Sequence, residues 1–123
     1  MVVSNHGGRQ FDGAVASITA LPGVCEAVDG RCEVLLDSGI RSGTDVLKAL
    51  SLGAHGVLLG RPALWGLASG GARGAAQVLS LLADELTEAM MLAGCPDVGS
   101  ARSLRTTPLA GELATAGEGH HAR

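Results

Sequence analysis

The fold of this chain is decided by residues 35–62, LLDSGIRSGTDVLKALSLGAHGVLLGRP. The apolar run at residues 32–36, which leads into this stretch, predicts a buried strand, and a polar, glycine-rich turn follows it. Ser42 or Thr44 then caps a helix, and residues 56–60 predict another buried strand. A strand, a helix and a strand in this order predict two parallel strands joined by a crossover helix.

The same alternation continues upstream. Residues 1–4 predict the end of an earlier strand, because an apolar pair precedes a polar loop. Apolar side chains at helical spacing over residues 12–28 predict a helix, with Asp12 as its N-cap and an interruption at Pro22-Gly23. We therefore expect three parallel strands.

Downstream of the last strand the pattern is helical. Pro62 suits the first turn of a helix over residues 63–68, and residues 69–71 form a glycine-rich link. A long amphipathic helix is predicted over residues 72–93, followed by a small helix near residues 97–104. Three strands are too few for a closed eight-stranded barrel, which takes about 250 residues. The chain is therefore either a small open α/β sheet or part of a larger structure.

Composition places the chain among globular proteins and excludes several functions. It has 123 residues, of which 46% are hydrophobic and 17% charged, and its formal net charge is -3. This acidic balance, without a basic stripe, argues against a nucleic-acid or anionic-membrane surface. The apolar runs are too short to cross a bilayer, and we find no secretory signal pattern. We therefore expect a cytoplasmic protein.

The cysteines and the terminal histidines do not predict a metal site. Cys25, Cys32 and Cys95 lack metal-ligand spacing, and their odd number indicates reduced thiols packed as small hydrophobes. His120 and His121 have no further ligands nearby, so we interpret them as a solvated pair in the tail.

Catalytic residue types are concentrated in residues 4–10, SNHGGRQ, directly after the first strand. His6 can exchange a proton near neutral pH, and the Arg9 guanidinium can bind a carboxylate through two parallel hydrogen bonds. Gly7 and Gly8 let the backbone bend tightly or lie close to a ligand. We predict that this loop lies at the ligand-binding edge of the sheet.

The turns after the second and third strands resemble a phosphate cradle. Gly39 and Gly60 leave backbone N–H groups free to face an anion, and the following helices present their positive N-termini. Arg41 and Arg61 add guanidinium groups suited to phosphate oxygens. Asp37 is either a former of this turn or a ligand. Parallel strands bring all three turns to one edge, where ligands bind in such folds.

Three segments together identify a family. SNHGGRQFDG at residues 4–13, the stretch at residues 35–62, and DELTEAMMLAGC at residues 84–95 closely resemble the C-terminal part of the FMN-dependent α-hydroxy-acid dehydrogenases and oxidases. That family includes glycolate oxidase, lactate oxidase and mandelate dehydrogenase. The resemblance implies that residues 1–105 form about three β/α units, the C-terminal part of a TIM (β/α)8 barrel and incomplete as a barrel. We expect residues 106–123 to be a flexible tail.

The resemblance also implies a role for each residue of the site. His6 corresponds to the catalytic base, Arg9 to the arginine that binds the substrate carboxylate, and Ser4 to a side chain that contacts the flavin. Asp37 is also implied to orient the catalytic histidine. The residues implied to hold the FMN ribityl chain and phosphate are Asp37, Ser38, Gly39, Ile40, Arg41, Gly60 and Arg61.

The chain departs from the family in three respects. Ser38 stands where the family usually has glycine, and Phe11 where it usually has leucine. The chain has no tyrosine, and its single lysine, Lys48, lies within a predicted helix, whereas the family's site uses two tyrosines and a lysine. We therefore expect the chain alone to be inactive, and to need the missing barrel half or homo-oligomerisation to oxidise a small 2-hydroxy acid.

Two other interpretations remain open. The chain is alternatively a non-catalytic truncated remnant, or a phosphate- or flavin-binding half-barrel that needs a partner chain. A related flavin barrel, the isopentenyl-diphosphate isomerase, shares a similar phosphate segment. The combination of His6 with Arg9 favours hydroxy-acid chemistry instead.

Overall fold

A computed structural model of the chain describes residues 1–104. The predicted tail at residues 106–123, with His120 and His121, lies outside the described residues. Within residues 1–104 the sheet has three strands, which are all parallel. This confirms the predicted α/β class, with a sheet that does not close on itself in the described part of the chain.

The sheet is built around a fully buried central strand. Leu36 of this strand is 0% exposed and pairs with Val3 on one side and Val57 on the other. Because the strands are parallel, the loops that follow them leave from the same edge. The strands, in chain order and in spatial order, are β1 (Val2–Val3), β2 (Leu35–Asp37) and β3 (Gly56–Leu58).

The central strand is displaced along the chain from its predicted position. It begins at Leu35 rather than residue 32, and it extends to Asp37. Just before it, the Val34 N–H donates to His55 Nδ1 at 3.1 Å, and the Val34 carbonyl accepts from the His55 N–H at 2.7 Å. The His55 imidazole thus takes the place of a backbone carbonyl as the acceptor for the Val34 N–H, and regular strand pairing starts only at Leu35. Cys32 is exposed, so the prediction that every cysteine packs in the interior is wrong for this residue.

The third strand is shorter and less buried than predicted. It ends at Leu58 rather than residue 60, and the Leu58 side chain is 42% exposed. The reason is its position, since β3 is an edge strand of the described sheet. Leu64 and Trp65, which follow it in the next helix, are also exposed.

The first helix, α1 (Ser17–Val28), starts later than predicted and is not interrupted. Asp12 is not its N-cap, because the residue before the helix is Ala16, which makes no side-chain capping bond. Pro22 lies inside the helix, and its neighbour Leu21 is fully buried in the core. Packing against the sheet therefore outweighs the single backbone hydrogen bond that the proline removes.

The second helix, α2 (Gly43–Ser51), begins at a capping box. Ser42 Oγ accepts from the Asp45 N–H at 3.2 Å, and Asp45 Oδ2 accepts from the Ser42 N–H at 3.1 Å. These reciprocal bonds satisfy two N–H groups at the start of the helix. Of the two candidates from the sequence, Ser42 rather than Thr44 is the N-cap.

The third helix, α3 (Arg61–Leu92), is bent at the predicted glycine link. Gly70 and Gly71 have non-helical dihedral angles, and Gly71 has a φ of 62°. They divide the helix into a first arm (residues 61–69) and a second arm (residues 72–92). In the part of the chain that the structure describes, neither this helix nor another has the length and hydrophobicity needed to cross a membrane.

Close approaches between backbones hold α3 in place. A Cβ on Gly66 would lie 2.6 Å from the Gly74 carbonyl oxygen, so the two arms pack directly on each other. The second arm also meets the start of α2, where the Gly43 N–H donates to Glu85 Oε2 at 2.8 Å. A Cβ on Gly43 would overlap the backbone of Leu86. Glycine is therefore required at this contact.

Two apolar clusters form the interior. The first surrounds the sheet under α1, and the second joins α2 to a short 3₁₀ helix, Ser100–Ser103, which confirms the predicted small helix near the end of the described chain. The first contains Val3, Leu21, Val28, Val34, Leu36, Ile40, Ala49 and Ala54, and the second contains Leu47, Leu50 and Ala101.

Candidate active site

The loops that follow β1, β2 and β3, here called the first, second and third loops, border one cleft at the carboxyl edge of the sheet. The cleft has a volume of about 490 Å³. Ser4 joins this site through a hydrogen bond to Asp37. Gly7, Leu58 and Leu64 also line the cleft, although the sequence did not single out the two leucines. The predicted residues that line it are His6, Arg9, Asp37, Ser38, Gly39, Ile40, Arg41, Gly60 and Arg61.

The first loop holds His6 in a tight turn. The turn is a 3₁₀ helix, His6–Gly8, and His6 itself has a φ of 55°, which is uncommon for a residue with a side chain. Asn5 Oδ1 caps the turn by accepting from the Gly7 N–H at 3.0 Å. Asn5 was missed as a site residue, although asparagine before a glycine turn is a known local signal. Arg9 follows, and its N–H donates to the His6 carbonyl at 3.3 Å.

Asp37 connects the first loop to the second through two hydroxyl groups. Ser4 Oγ donates to Asp37 Oδ2 at 2.5 Å, and Ser38 Oγ donates to the same oxygen at 2.9 Å. Each hydroxyl also accepts a backbone N–H from the first loop. The His6 N–H donates to Ser4 Oγ at 3.1 Å, and the Gly7 N–H donates to Ser38 Oγ at 2.9 Å. The carboxylate therefore supports the backbone of the His6 turn.

These bonds also keep Asp37 ionised. The hydrogen bond from Ser4 is the main reason that the pKa of Asp37 lies below its usual value. Partial burial opposes this by raising the pKa, and bonds from Ser38 lower it further. The nearby His6 imidazole makes a smaller lowering contribution. Asp37 is thus a carboxylate at neutral pH and accepts both hydroxyl hydrogens.

Two arginines form the other side of the cleft. Arg61 Nη2 donates to the Gly7 carbonyl at 3.2 Å, which joins the third loop to the first. Arg41 Nη1 donates to the Ile40 carbonyl at 2.6 Å, and the Arg41 guanidinium lies 5.1 Å from the centre of the Trp65 ring. This cation–π contact orients Arg41 without neutralising its charge. A single tryptophan in a helix carries no sequence signal of this contact, which depends on the tertiary structure.

The family follows from a match over most of the chain. Residues 1–106 match the model of the FMN-dependent dehydrogenase family. The chain belongs to this family. FMN is the cofactor after which the family is described.

Relatives with similar sequences are hydroxy-acid oxidases by name. The chain is 60% identical over 106 residues to 4-hydroxymandelate oxidase of Amycolatopsis orientalis, covering 86% of this chain and 30% of that protein. It is 63% identical over 95 residues to L-lactate oxidase of Nostoc sp., covering 77% of this chain and 26% of that protein. The chain therefore spans less than a third of the length of these relatives.

A solved structure has the same local fold. Mandelate oxidase with benzoyl-formic acid matches with a TM-score of 0.83 and 60% sequence identity, over 86% of this chain and 32% of that one. The arrangement of strands and helices described above is therefore shared with part of a larger enzyme.

The loops after β2 and β3 carry the kinds of hydrogen-bond donor that suit a phosphate group. The residue before α3 is Gly60, which has no side chain to cap the helix. Pro62 has no N–H, so the backbone donors that follow Gly60 in this first turn are those of Arg61 and Ala63. Gly39 has a φ of 86°, and the space where its Cβ would lie is open. Arg41 and Arg61 border the same cleft. Backbone donors and two guanidinium groups are the chemistry that binds the phosphate of a cofactor such as FMN.

Proposed function

We propose that this chain supplies the C-terminal part of an FMN-dependent enzyme that oxidises a small 2-hydroxy acid to the corresponding 2-oxo acid. One observation carries the proposal. His6 and Arg9 border the same cleft as the loops after β2 and β3, which carry Arg41 and Arg61 and are called the phosphate-type loops below. In this view residues 1–104 are about three β/α units of a TIM barrel, and the open sheet is a part of its wall. Family membership and the 60% identity to 4-hydroxymandelate oxidase support this assignment.

Each residue has a role that its chemistry allows. Arg9, exposed at the cleft, binds the substrate carboxylate through paired hydrogen bonds. His6 lies three residues away and takes a proton from the substrate as general base. When bound, FMN supplies the two-electron acceptor. Arg41 and Arg61, with the N-terminus of α3, hold its phosphate.

The ionised Asp37 has a supporting role in this proposal. Its carboxylate interacts electrostatically with the nearby His6 side chain. It also holds the backbone of the His6 turn through Ser4. The predicted orientation of the histidine by Asp37 is therefore proposed to act through the backbone of the turn.

We propose that the remaining part of the site comes from another polypeptide segment. The chain contains no tyrosine, and Lys48, its single lysine, lies in α2 rather than at the cleft of His6. The edge strands of the described sheet have unpaired sides, and Leu58, Leu64 and Trp65 are exposed beside the cleft. We propose that the other β/α units of the barrel cover these surfaces, and that the chain alone is inactive.

Complementation tests this proposal. The chain is mixed with FMN and with a separate polypeptide that carries the first two-thirds of 4-hydroxymandelate oxidase, and flavin bleaching is followed without oxygen. We expect bleaching by mandelate, lactate or glycolate only in the mixture. His6→Asn should slow it by at least about 100-fold, because a general base is lost. Arg9→Met should raise KM by roughly 10- to 100-fold, because a charged hydrogen-bond pair is lost.

Arg73→Met is the matched control for Arg9→Met, since Arg73 is an exposed arginine on the second arm of α3. It should leave both kcat and KM unchanged. Full-rate bleaching in the His6→Asn mixture would contradict the proposed base. Turnover by the chain alone would contradict the proposed need for the remaining barrel.

A phosphate-binding half-barrel without redox function is the second candidate. It is favoured by the fact that both arginines and the uncapped N-terminus of α3 belong to this chain, whereas tyrosine does not occur in it. This candidate predicts that the mixture binds FMN, with binding weakened by Arg61→Met, but that no 2-hydroxy acid bleaches the flavin.

A further inference from the structure

We propose that Ser38 is a positioning residue that locks the His6 turn to the loop after β2. The hydroxyl of Ser38 accepts the Gly7 N–H and donates its own hydrogen to Asp37. We call this pair of hydrogen bonds the lock. Its consequence for catalysis rests on the function proposed above, whereas the two hydrogen bonds are a property of the chain itself.

The Ser38 hydroxyl acts as a hydrogen-bond donor and as an acceptor at the same time. Both bonds of the Ser38 hydroxyl are 2.9 Å long, one to the Gly7 nitrogen and one to Asp37 Oδ2. A hydroxyl has one hydrogen, and the ionised carboxylate, which has none, must receive it. The oxygen lone pairs are then free to accept the Gly7 N–H. A glycine at position 38 could make neither bond.

The backbone at position 38 carries a cost that the serine side chain offsets. Ser38 has a φ of 83°, in the left-handed region that favours glycine. A serine in this conformation is therefore retained against local backbone preference. Such strain persists where surrounding contacts over-determine the conformation, and here the contacts are the two bonds of the hydroxyl.

The Gly7 peptide is held from several directions. Its N–H is shared between Ser38 Oγ and Asn5 Oδ1, at 2.9 and 3.0 Å. Its carbonyl accepts from Arg61 Nη2. Asn5 belongs to the same loop, whereas Ser38 belongs to the loop after β2. Of these two acceptors, Ser38 is therefore the one that ties the Gly7 N–H to a neighbouring strand. The Gly7 N–H belongs to the peptide unit that joins His6 to Gly7. The position of this unit therefore influences where the His6 imidazole enters the cleft.

A parallel connection through Ser4 makes the effect of Ser38 local. The His6 N–H reaches the same carboxylate through Ser4 Oγ, and the two serine oxygens lie 3.5 Å apart. Removal of the Ser38 hydroxyl leaves the Ser4 connection in place. We therefore expect the Gly7 peptide to loosen while the strands and helices remain folded.

Substitution of Ser38 by glycine and by alanine separates the lock from general stability. Both variants lack the hydroxyl, but only glycine relieves the positive φ. Amide hydrogen exchange is measured at Gly7 in the full 123-residue chain, with Leu36 and Val57 of the sheet as reference amides, alongside urea unfolding. In Ser38→Gly, the urea midpoint should stay the same or rise, while Gly7 exchange becomes about tenfold faster.

Ser38→Ala should show the same acceleration at Gly7 together with a lower urea midpoint, since it keeps the strain. Ser38→Thr retains a hydroxyl but adds a β-branch at a positive φ. It should therefore restore slow exchange at Gly7 while its urea midpoint falls below that of the unsubstituted chain. The Asp37 carboxyl, followed by NMR, should titrate at higher pH in Ser38→Gly because it loses a donor. Unchanged Gly7 exchange in Ser38→Gly, or exchange that changes only in step with Leu36 and Val57, would overturn the proposal.

A kinetic measurement relates the lock to the proposed function. In the complemented enzyme, Ser38→Gly should lower kcat by about tenfold with little change in KM, because Arg9 still binds the carboxylate. If the unsubstituted mixture has no turnover, the proposed function fails, while the exchange measurement still decides the role of Ser38. Equal kcat values in the unsubstituted and Ser38→Gly mixtures, despite different Gly7 exchange, would show that the lock does not position the base.

Discussion

At the scale of single residues, Asp37 joins the loop after β1 to the loop after β2. One of its carboxylate oxygens accepts from Ser4 and Ser38, and through them it supports the backbone of the turn that carries His6. The pKa of Asp37 is lowered chiefly by the Ser4 bond. A group whose pKa is lower in the folded state stabilises that state above its unfolded pKa. The contribution is lost as the pH falls through the folded value.

The stability of the chain should therefore decrease in acid. The free energy of unfolding should begin to fall near pH 3.8, the usual pKa of an aspartate, and continue to fall below it as Asp37 is protonated. Urea unfolding at a series of pH values measures this dependence. Asp37→Asn should make the curve flatter below that pH.

Asp97 provides the matched comparison for this prediction. Its pKa is also lowered, mainly by the backbone N–H of Ser100, but it lies far along the chain from the cleft. Asp97→Asn should also flatten the curve, yet it should leave amide exchange in the His6 turn unchanged. An Asp37→Asn variant with the same acid dependence as the unsubstituted chain would contradict the role of Asp37.

At this scale, local residue chemistry indicated which residues suit a ligand site, but it did not indicate the hydrogen bonds and contacts that join one loop to another. The glycines, the arginines and His6 were recognisable because their types and order suit a ligand site at the end of parallel strands. The bridge from Ser38 to Gly7 joins residues that are 31 positions apart, and the Arg41 contact with Trp65 joins a turn to the helix after the next strand. Contacts of this kind depend on how the strands are paired.

At the scale of secondary structure, α2 is the element whose start is best defined. The Ser42–Asp45 capping box satisfies its first turn, and Glu85 from the second arm of α3 accepts the Gly43 N–H. This start lies directly after the loop that carries Arg41. The Asp45 carboxylate of the capping box also accepts the Arg41 N–H at 3.0 Å, so the cap holds the backbone of Arg41 in place. By contrast, α1 starts at Ser17 without a side-chain cap, and its position depends on the burial of Leu21.

Loss of the Ser42 cap should destabilise the chain measurably. Ser42→Ala should lower the free energy of unfolding by about 1 kcal/mol, because an N–H at the start of α2 loses its acceptor. Thr44→Ala is the control, since Thr44 is exposed within the helix and is not the cap. It should change the free energy by less than about 0.5 kcal/mol. Equal losses in the two variants, measured by urea unfolding, would argue against the capping box.

At the scale of the whole molecule, the described chain is an open sheet with helices on it. Its edge strands, β1 and β3, are the places where further strands can pair. Exposed apolar side chains continue from the β3 edge onto α3, including Leu58, Leu64 and Trp65. An exposed edge beside an apolar patch favours association, either with other β/α units or with a second copy of the chain.

The chain alone should therefore self-associate as its concentration rises. Leu58→Lys should shift it towards the monomer, because a charge on an edge strand opposes strand pairing. Gln77→Lys adds the same charge at an exposed position on the second arm of α3 and should have no such effect. Sedimentation measurements over a range of concentrations check both variants. Equal association of the two would show that the β3 edge is not the contact.

The sequence by itself determined the order of strands and helices, the Gly70-Gly71 bend and the residue types at the cleft, because periodicity, capping and glycine turns are local properties. The tertiary structure alone decided that α1 continues through Pro22, that β2 begins after the His55 contact with Val34, and that Ser38 joins the Gly7 peptide to Asp37. Each of these depends on the free energy of contacts between segments distant in the chain, which local preference does not contain.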